Sequence, residues 1–320
     1  MTCSPAISGR RPILSQGFKM GSFLQPELVQ QLVDGIGRGG SYALLALGLA
    51  IIFGVMHLLN FAHGELITVS AYVAYYLSIS GANWWVIAFA IIVTCVVCAV
   101  AIDFIAFRRV RESSDFTMLL TSFGVVILVR AAFSQWVEMT PRNFHKASWI
   151  FNTVDIAGIR LEVYDLAVIA ITAVTLIVLT IVLQRTMFGL SLRAASEDFD
   201  AARLMGINSN RVIRNAFALS GLLAGISGTM LLLRRAQADP GMGIEVLLPG
   251  LLAAIIGGLG SLRGVVLGGF VIGILEVMLR SRILPDDLSG LTDLFVFILI
   301  ALLFVIRPYG LITVRRVERV

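Results

Sequence analysis

Four ionisable residues fall inside otherwise apolar stretches: Glu65, Asp103, Arg130 and Glu276. A charge in hydrocarbon is expensive, so such a residue faces a bundle interior, a partner of opposite sign or a water path. Asp103 and Arg130 read as residues near helix ends that snorkel to the surface. Glu65 and Glu276 read as interior residues that line or gate a path. For Glu65, a structural salt bridge or a plain helix-start role competes with that reading, because the helix dipole alone favours an acid there. Glu65 closes the polar run Asn60-Phe61-Ala62-His63-Gly64-Glu65 between two apolar segments. Non-helical backbone at membrane depth survives only where it faces protein or water. Asn60, His63, Gly64 and Glu65 are therefore candidates for a break beside the path, with Asn60 and the Gly64 backbone satisfying freed peptide groups.

No catalytic set accompanies them. There is no GxxxxGK[ST] loop, and neither Lys19 nor Lys146 follows a glycine, so nucleotide is not cradled in that manner. His57, His63 and His145 are scattered, and no His, Glu or Asp set has metal-ligand spacing. Cys95 and Cys98 form a CxxC, but within the apolar TCVVCAVAI, where thiols read as packing residues. The chain reads as having no catalytic residue, no metal and no cofactor, and as not itself an enzyme.

The elements that position these residues follow from composition. Hydrophobic residues make up 58% of the 320 residues and charged ones 14%, against about 25% charged in a soluble domain. The runs are too long and too uniform for barrel strands. The expected fold is an all-α polytopic membrane bundle of about eight to nine transmembrane elements at ~20 residues each, with a broken or re-entrant segment near the N-terminus. Apolar segments lie near 40–58, 65–80, 84–107, 117–137, 163–184, 213–233, 244–259, 264–281 and 291–306. Residues 1–23 read as a disordered tail without the apolar core of a secretory signal, Met20 being an alternative start. Residues 24–314 form one transmembrane domain, and 315–320 a cytoplasmic tail.

Arginines orient the segments. Loops 108–115, 184–215, 260–263 and 307–320 carry thirteen Arg, against seven Lys plus Arg on the opposite side. The first set is therefore cytoplasmic. The parity holds from residue 84 onward but conflicts with a tail carrying Arg10, Arg11, Lys19 and Arg38, which also favours a break near Asn60.

Residues 185–214 form a polar island with five Arg, balanced in part by Glu197, Asp198 and Asp200. Ala201, Ala202 and Leu204 fall at helical spacing and Gly206 supplies a stop. A short amphipathic helix held at the membrane surface by two spanning helices suits docking to another protein. Near the C-terminus, Gly257, Gly258, Gly260, Gly264, Gly268, Gly269 and Gly273 crowd one block. Their small-xxx-small spacing lets helix backbones approach closely. That serves tight packing alone, or a sliding surface that forms a gate.

Three blocks resemble a known family. SYALLALGLAIIFGVMHLLNFAHGEL (41–66) resembles the N-terminal signature of LivH-like permeases, membrane subunits of branched-chain amino-acid ABC importers. RAASEDFDAARLMGINSNRV (193–212) is similar to that family's coupling segment, and AAIIGGLGSLRGVVLGGFVIGILE (253–276) to its glycine-rich block. The resemblance implies a permease subunit in a bacterial inner membrane that shares a path with a homologous permease. It also implies two ATP-binding-cassette ATPase subunits and a periplasmic substrate-binding protein as partners, with no role for nucleic acid. Coupling contacts carried over by the resemblance fall on Arg193, Glu197, Asp198, Ala201, Ala202, Gly206 and Asn208. Asp200-Ala201-Ala202 with Gly206 resembles the wider importer pattern EAA-x3-G, with Asp for Glu. Arg263 stands where the family commonly has Pro, and His57 where a small residue is usual. The family also includes urea and amide importers, which are the alternative substrates. An ion-coupled secondary transporter is the alternative of another class; it calls for paired mid-depth acids and an inverted repeat.

Overall fold

The computed structural model describes residues 26–111, 113–136, 141–144, 150, 152–156, 159–283 and 294–298. Helix α1, Pro26–Met56, opens on a proline, whose fixed φ and missing N–H suit a first helical position. At 31 residues it is about 46 Å long. It begins well before the apolar run expected from residue 40, because its polar residues find partners in the bundle. Arg38 is therefore a helix residue, ion-paired with Glu276, and not a charge of the tail. That removes it from the parity conflict.

His57 ends α1 in the left-handed region at φ 52°, and its N–H donates to the Phe53 carbonyl at 2.7 Å. The chain then turns through Leu58–Phe61 into α2, Ala62–Ile79. Helix α3, Trp84–Val110, is capped by the Asn83 side chain, which accepts the Trp85 N–H. It contains a wide π turn over Asp103–Phe107. Helix α4 spans Asp115–Trp136 and α5 Val163–Arg185. Two short helices follow, α6 Met187–Glu197 and α7 Phe199–Leu204. Helix α8 is Ser209–Arg235, α9 Met242–Gly257 and α10 Leu262–Met278.

Among the described residues, six helices are long and apolar enough to cross a membrane: α1, α3, α4, α5, α8 and α10. The crossing segment that begins with α10 runs on to Ser281, α9 is shorter, and α2, at 18 residues, is not among the six. The ninth expected segment, 291–306, lies outside the described residues except for a helical stretch at 294–298. Two small antiparallel ribbons were not legible in the sequence. Strand β1, Arg142–Asn143, pairs with β4, Gln237–Ala238. Strand β2, Thr153–Ile156, pairs with β3, Ile159–Glu162.

The helices divide by burial. The central window of α1 is 78% buried and that of α8 67%, against 17–22% for α3, α4 and α5. Trp85, Phe89, Phe116, Ile127 and Ile177 project outward from those outer helices. The polar charge of the centre is thus sheathed by helices whose outer faces suit lipid, and the fold is a membrane helix bundle.

Glycines set the closest contacts. A Cβ on Gly268 would sit 2.2 Å from the Ala253 carbonyl oxygen, and one on Gly257 2.2 Å from that of Gly264, so α9 and α10 touch backbone to backbone. One step around α10, a Cβ on Gly269 would meet Ala43 Cα at 2.6 Å, and one on Gly273 would meet Gly39 N at 2.2 Å. Helix α10 therefore presents two glycine edges, one to α9 and one to α1. Gly258 sits just past α9 at φ 89°, a conformation that favours glycine. Gly260 lies in the turn between α9 and α10.

Candidate functional site

The bundle has two features able to act in transport: a polar cluster where α2 starts inside the protein, and the segment between α5 and α8.

Helix α2 begins among buried residues. Asn60, His63 and Glu65 are 1–3% exposed. A chain that breaks there must satisfy its backbone without water. The Asn60 side chain accepts the Ala62 N–H at 3.1 Å, and its carbonyl accepts that of His63 at 3.2 Å. The Gly64 N–H donates to the Phe61 carbonyl at 3.3 Å, and the Phe61 N–H donates to Ser122 Oγ on α4 at 2.9 Å. Gly64 also sets a helix crossing, since a Cβ there would lie 2.6 Å from the Gly243 carbonyl oxygen. Only glycine lets α2 and α9 cross at this height.

Glu65 is the hub. Its Oε1 accepts from Arg130 Nε at 3.1 Å and its Oε2 from the Thr68 hydroxyl at 2.9 Å. Thr68 Oγ1 in turn accepts the Gly243 N–H at 3.1 Å. One relay therefore joins α4, α2 and α9. Arg130, expected to snorkel outward, instead turns inward to this carboxylate. Of the readings open for Glu65, the salt bridge is physically present, and the residue also stands in the first turn of α2. Two residues earlier, His63 Nδ1 lies 3.0 Å from Ser220 Oγ on α8, and its ring rests on Gly48 of α1. The gap beside Asn60, His63 and Ser220 has no room for a water molecule. In the observed state this cluster is a closed seam between α1, α2 and α8.

Glu276 lies elsewhere, at the α1–α10 contact. It accepts from Arg38 Nη1 at 2.5 Å and from the Tyr42 hydroxyl at 2.7 Å. Glu276 is thus separate from the α2 cluster and acts as a clamp on the glycine seam.

The 185–214 segment is not one amphipathic helix but two. Thr186 caps α6, its hydroxyl accepting the Gly189 N–H at 3.2 Å. Asp198 then breaks the helix and caps α7, its Oδ1 accepting the Ala201 N–H at 2.9 Å. Gly206, at φ 85°, ends α7. The Gly206 N–H donates to Arg203 and the Ile207 N–H to Ala202, a left-handed C-terminal cap that only glycine takes without strain. Asn208 caps α8 through the Arg211 N–H at 3.1 Å. Arg193 donates to the Leu183 carbonyl. Leu192, Ala195 and Ala202 are buried against the bundle, while Glu197, Asp198 and Ala201 are exposed. Leu204 and Met205 stand out at 89% and 83% exposure. The result is a capped elbow with an apolar tip.

Beside the elbow lies a cleft of about 680 Å³ between the end of α1, the α3–α4 corner and the first turn of α8. Asp103, expected to snorkel, is instead buried and paired with Arg111 at this corner. Sequence reasoning did not pair Asp103 with Arg111, Glu65 with Arg130, or His63 with Ser220. The charges were visible as anomalies in apolar runs, but Thr68 and Ser220 carry no such signal.

A capped elbow between spanning helices, a helix that starts inside the bundle and glycine-lined crossings together mark a multi-pass membrane protein. The chain belongs to the family described as branched-chain amino acid transport system / permease component, whose profile matches residues 31–306. It is 28% identical over 309 residues to the high-affinity branched-chain amino acid transport system permease protein BraD of Pseudomonas aeruginosa, covering 91% of this chain and 98% of that one. It is 28% identical over 309 residues to LivH of Escherichia coli, covering 91% and 97%. It is 30% identical over 279 residues to the protein named probable branched-chain amino acid transport permease LivH of Methanocaldococcus jannaschii, covering 84% and 87%.

Proposed function

We propose that this chain is the permease subunit of an ATP-binding-cassette importer in a bacterial inner membrane. With a homologous permease it forms the path for branched-chain or related amino acids. ATP hydrolysis belongs to two separate ATPase subunits, and a periplasmic protein delivers the substrate. The observation that carries this reading is the capped elbow, with Leu204 and Met205 bare at its tip. An apolar tip so exposed on a capped support is a binding surface awaiting a partner. Glu197, Asp198, Ala201, Gly206 and Asn208 frame it, and Arg193 and Ala202 fix it to the bundle. The names of the relatives support the substrate class.

In this reading the elbow moves as a lever when the ATPases close. The α2 start, with Asn60, His63, Gly64 and Glu65, is the closed gate. The glycine edges of α10 let it shift against α1 and α9, with the Glu276 clamp limiting that shift. Energy enters as contacts that differ between the two states. The test is reconstitution with the partner subunits in vesicles. ATP-dependent uptake of leucine, abolished by omitting either the ATPases or the binding protein, is expected. Uptake that needs neither, and follows an ion gradient instead, overturns the reading.

A further inference from the structure

The corner between α3 and α4 is tied to the first turn of α8 by one guanidinium. Arg111 donates through Nη2 to Asp103 and through Nη1 to Asn210 Oδ1 at 2.6 Å. Asp103 is 3% exposed. Arg111 Nε is buried and has no acceptor among the described residues, so the guanidinium's hydrogen bonds to these two sides run through Nη1 and Nη2. Asp103 opens the π turn of α3, in which the Arg108 N–H bonds five residues back to the Asp103 carbonyl. Asn210 follows Asn208, the cap through which the elbow enters α8.

Holding α3 to α8 does not need this triad. Phe107 and Phe217 already pack there, fully buried, with ring centroids 5.6 Å apart. A buried ion pair is a weak stabiliser compared with apolar packing of the same volume, and its best-attested use is to fix one arrangement against another. The setting agrees. Arg111 and Asn210 both line the 680 Å³ cleft, so unfilled space lies beside the tie. A π turn holds one residue more than a regular turn, and such turns gather at functional sites. Closing it to a regular helix turns the preceding residues by about 100° about the axis.

We infer that Asp103, Arg111 and Asn210 form a strap that makes the end of α3 move with the elbow. These are positioning residues, and the inference rests on the proposed importer function. When the elbow is displaced, Asn210 pulls Arg111, and Arg111 pulls Asp103 in its π turn. Without the strap the elbow still docks and ATP is still hydrolysed, but less of the displacement reaches the π turn of α3.

The test uses Asn210→Ala and Asn210→Asp in the reconstituted complex with leucine-loaded binding protein. Asn210 is exposed, so neither change threatens folding. For Asn210→Ala, leucine moved per ATP falls by about fivefold or more, the low end of coupling between linked sites, while the hydrolysis rate stays near wild type. Asn210→Asp keeps an acceptor for Arg111 and stays near wild type in both. Hydrogen exchange on the purified permease supplies a readout independent of transport: Asn210→Ala speeds exchange over residues 103–111 as well as 209–213. An unchanged leucine-per-ATP ratio, or equal losses of uptake and hydrolysis, overturns the strap. So does faster exchange confined to 209–213. If the wild-type complex moves no leucine with ATP, the proposed function falls, and the exchange experiment still decides the strap.

Discussion

Removing the charge of Glu65 should damage this protein less than removing its partner. Glu65 is 1% exposed, while the Arg130 side chain is 36% exposed. In Arg130→Ala the carboxylate stays buried with only Thr68 as donor. Breaking a buried pair from one side costs about 3–5 kcal/mol. In Glu65→Gln the shape is kept, and what changes is the match of donors to acceptors. The amide oxygen satisfies either Arg130 or Thr68, and the NH₂ group then faces the other donor. Arg130 can snorkel towards the membrane surface, so one mismatched buried hydrogen bond remains, at about 1–2 kcal/mol. The double variant Glu65→Gln/Arg130→Ala lacks the stranded charge altogether. It should lie close to Glu65→Gln and recover about 1 kcal/mol or more relative to additivity. Thermal unfolding of the detergent-purified variants gives the ranking, and uptake per inserted molecule gives the functional effect. The order wild type, Glu65→Gln, double variant, Arg130→Ala is expected in stability. Strict additivity, or Glu65→Gln as the least stable of the set, refutes the hub.

Three further predictions concern other parts of the molecule. Gly206→Pro replaces a residue at φ 85° whose N–H donates to Arg203 with one locked near −65° and lacking that N–H; uptake and ATPase co-purification should fall while membrane levels persist, and wild-type behaviour in both assays removes the elbow from the docking surface. Gly268→Leu places a Cβ 2.2 Å from the Ala253 oxygen, so α9 and α10 must separate; a loss of at least about 1–3 kcal/mol is expected from overpacking, and unchanged thermal stability and uptake would sink the seam. Single cysteines at Ser113 and Asn208 should react with impermeant maleimide from the cytoplasmic face, and one at Asn143 from the opposite face. Labelling in the reverse pattern overturns the orientation.

What the sequence determined by itself was the material of the fold and the location of its anomalies. Apolar runs of spanning length dictate a helix bundle, because only closed backbone hydrogen bonding survives in lipid. The helix stop at Gly206 was readable because a left-handed cap acts within a few residues of where it stands. The glycine block announced close approach for the same reason, since a missing side chain has one main use in such a helix. Helix α1 shows the limit. Its first 14 residues look too polar to belong to a spanning helix, yet they are helical because Arg38 finds Glu276, 238 positions away. The same holds for Arg130 and His63. A charge in an apolar run demands a partner, but the identity of that partner depends on which helices cross and at what height. That was decided by tertiary packing, through glycine contacts between α1, α9 and α10 that bring distant residues to one level. The bend of the elbow falls at Asp198, whose side chain caps α7 through the Ala201 N–H at 2.9 Å. Composition distributes polar groups along the chain; only the crossing of helices determines which of them meet.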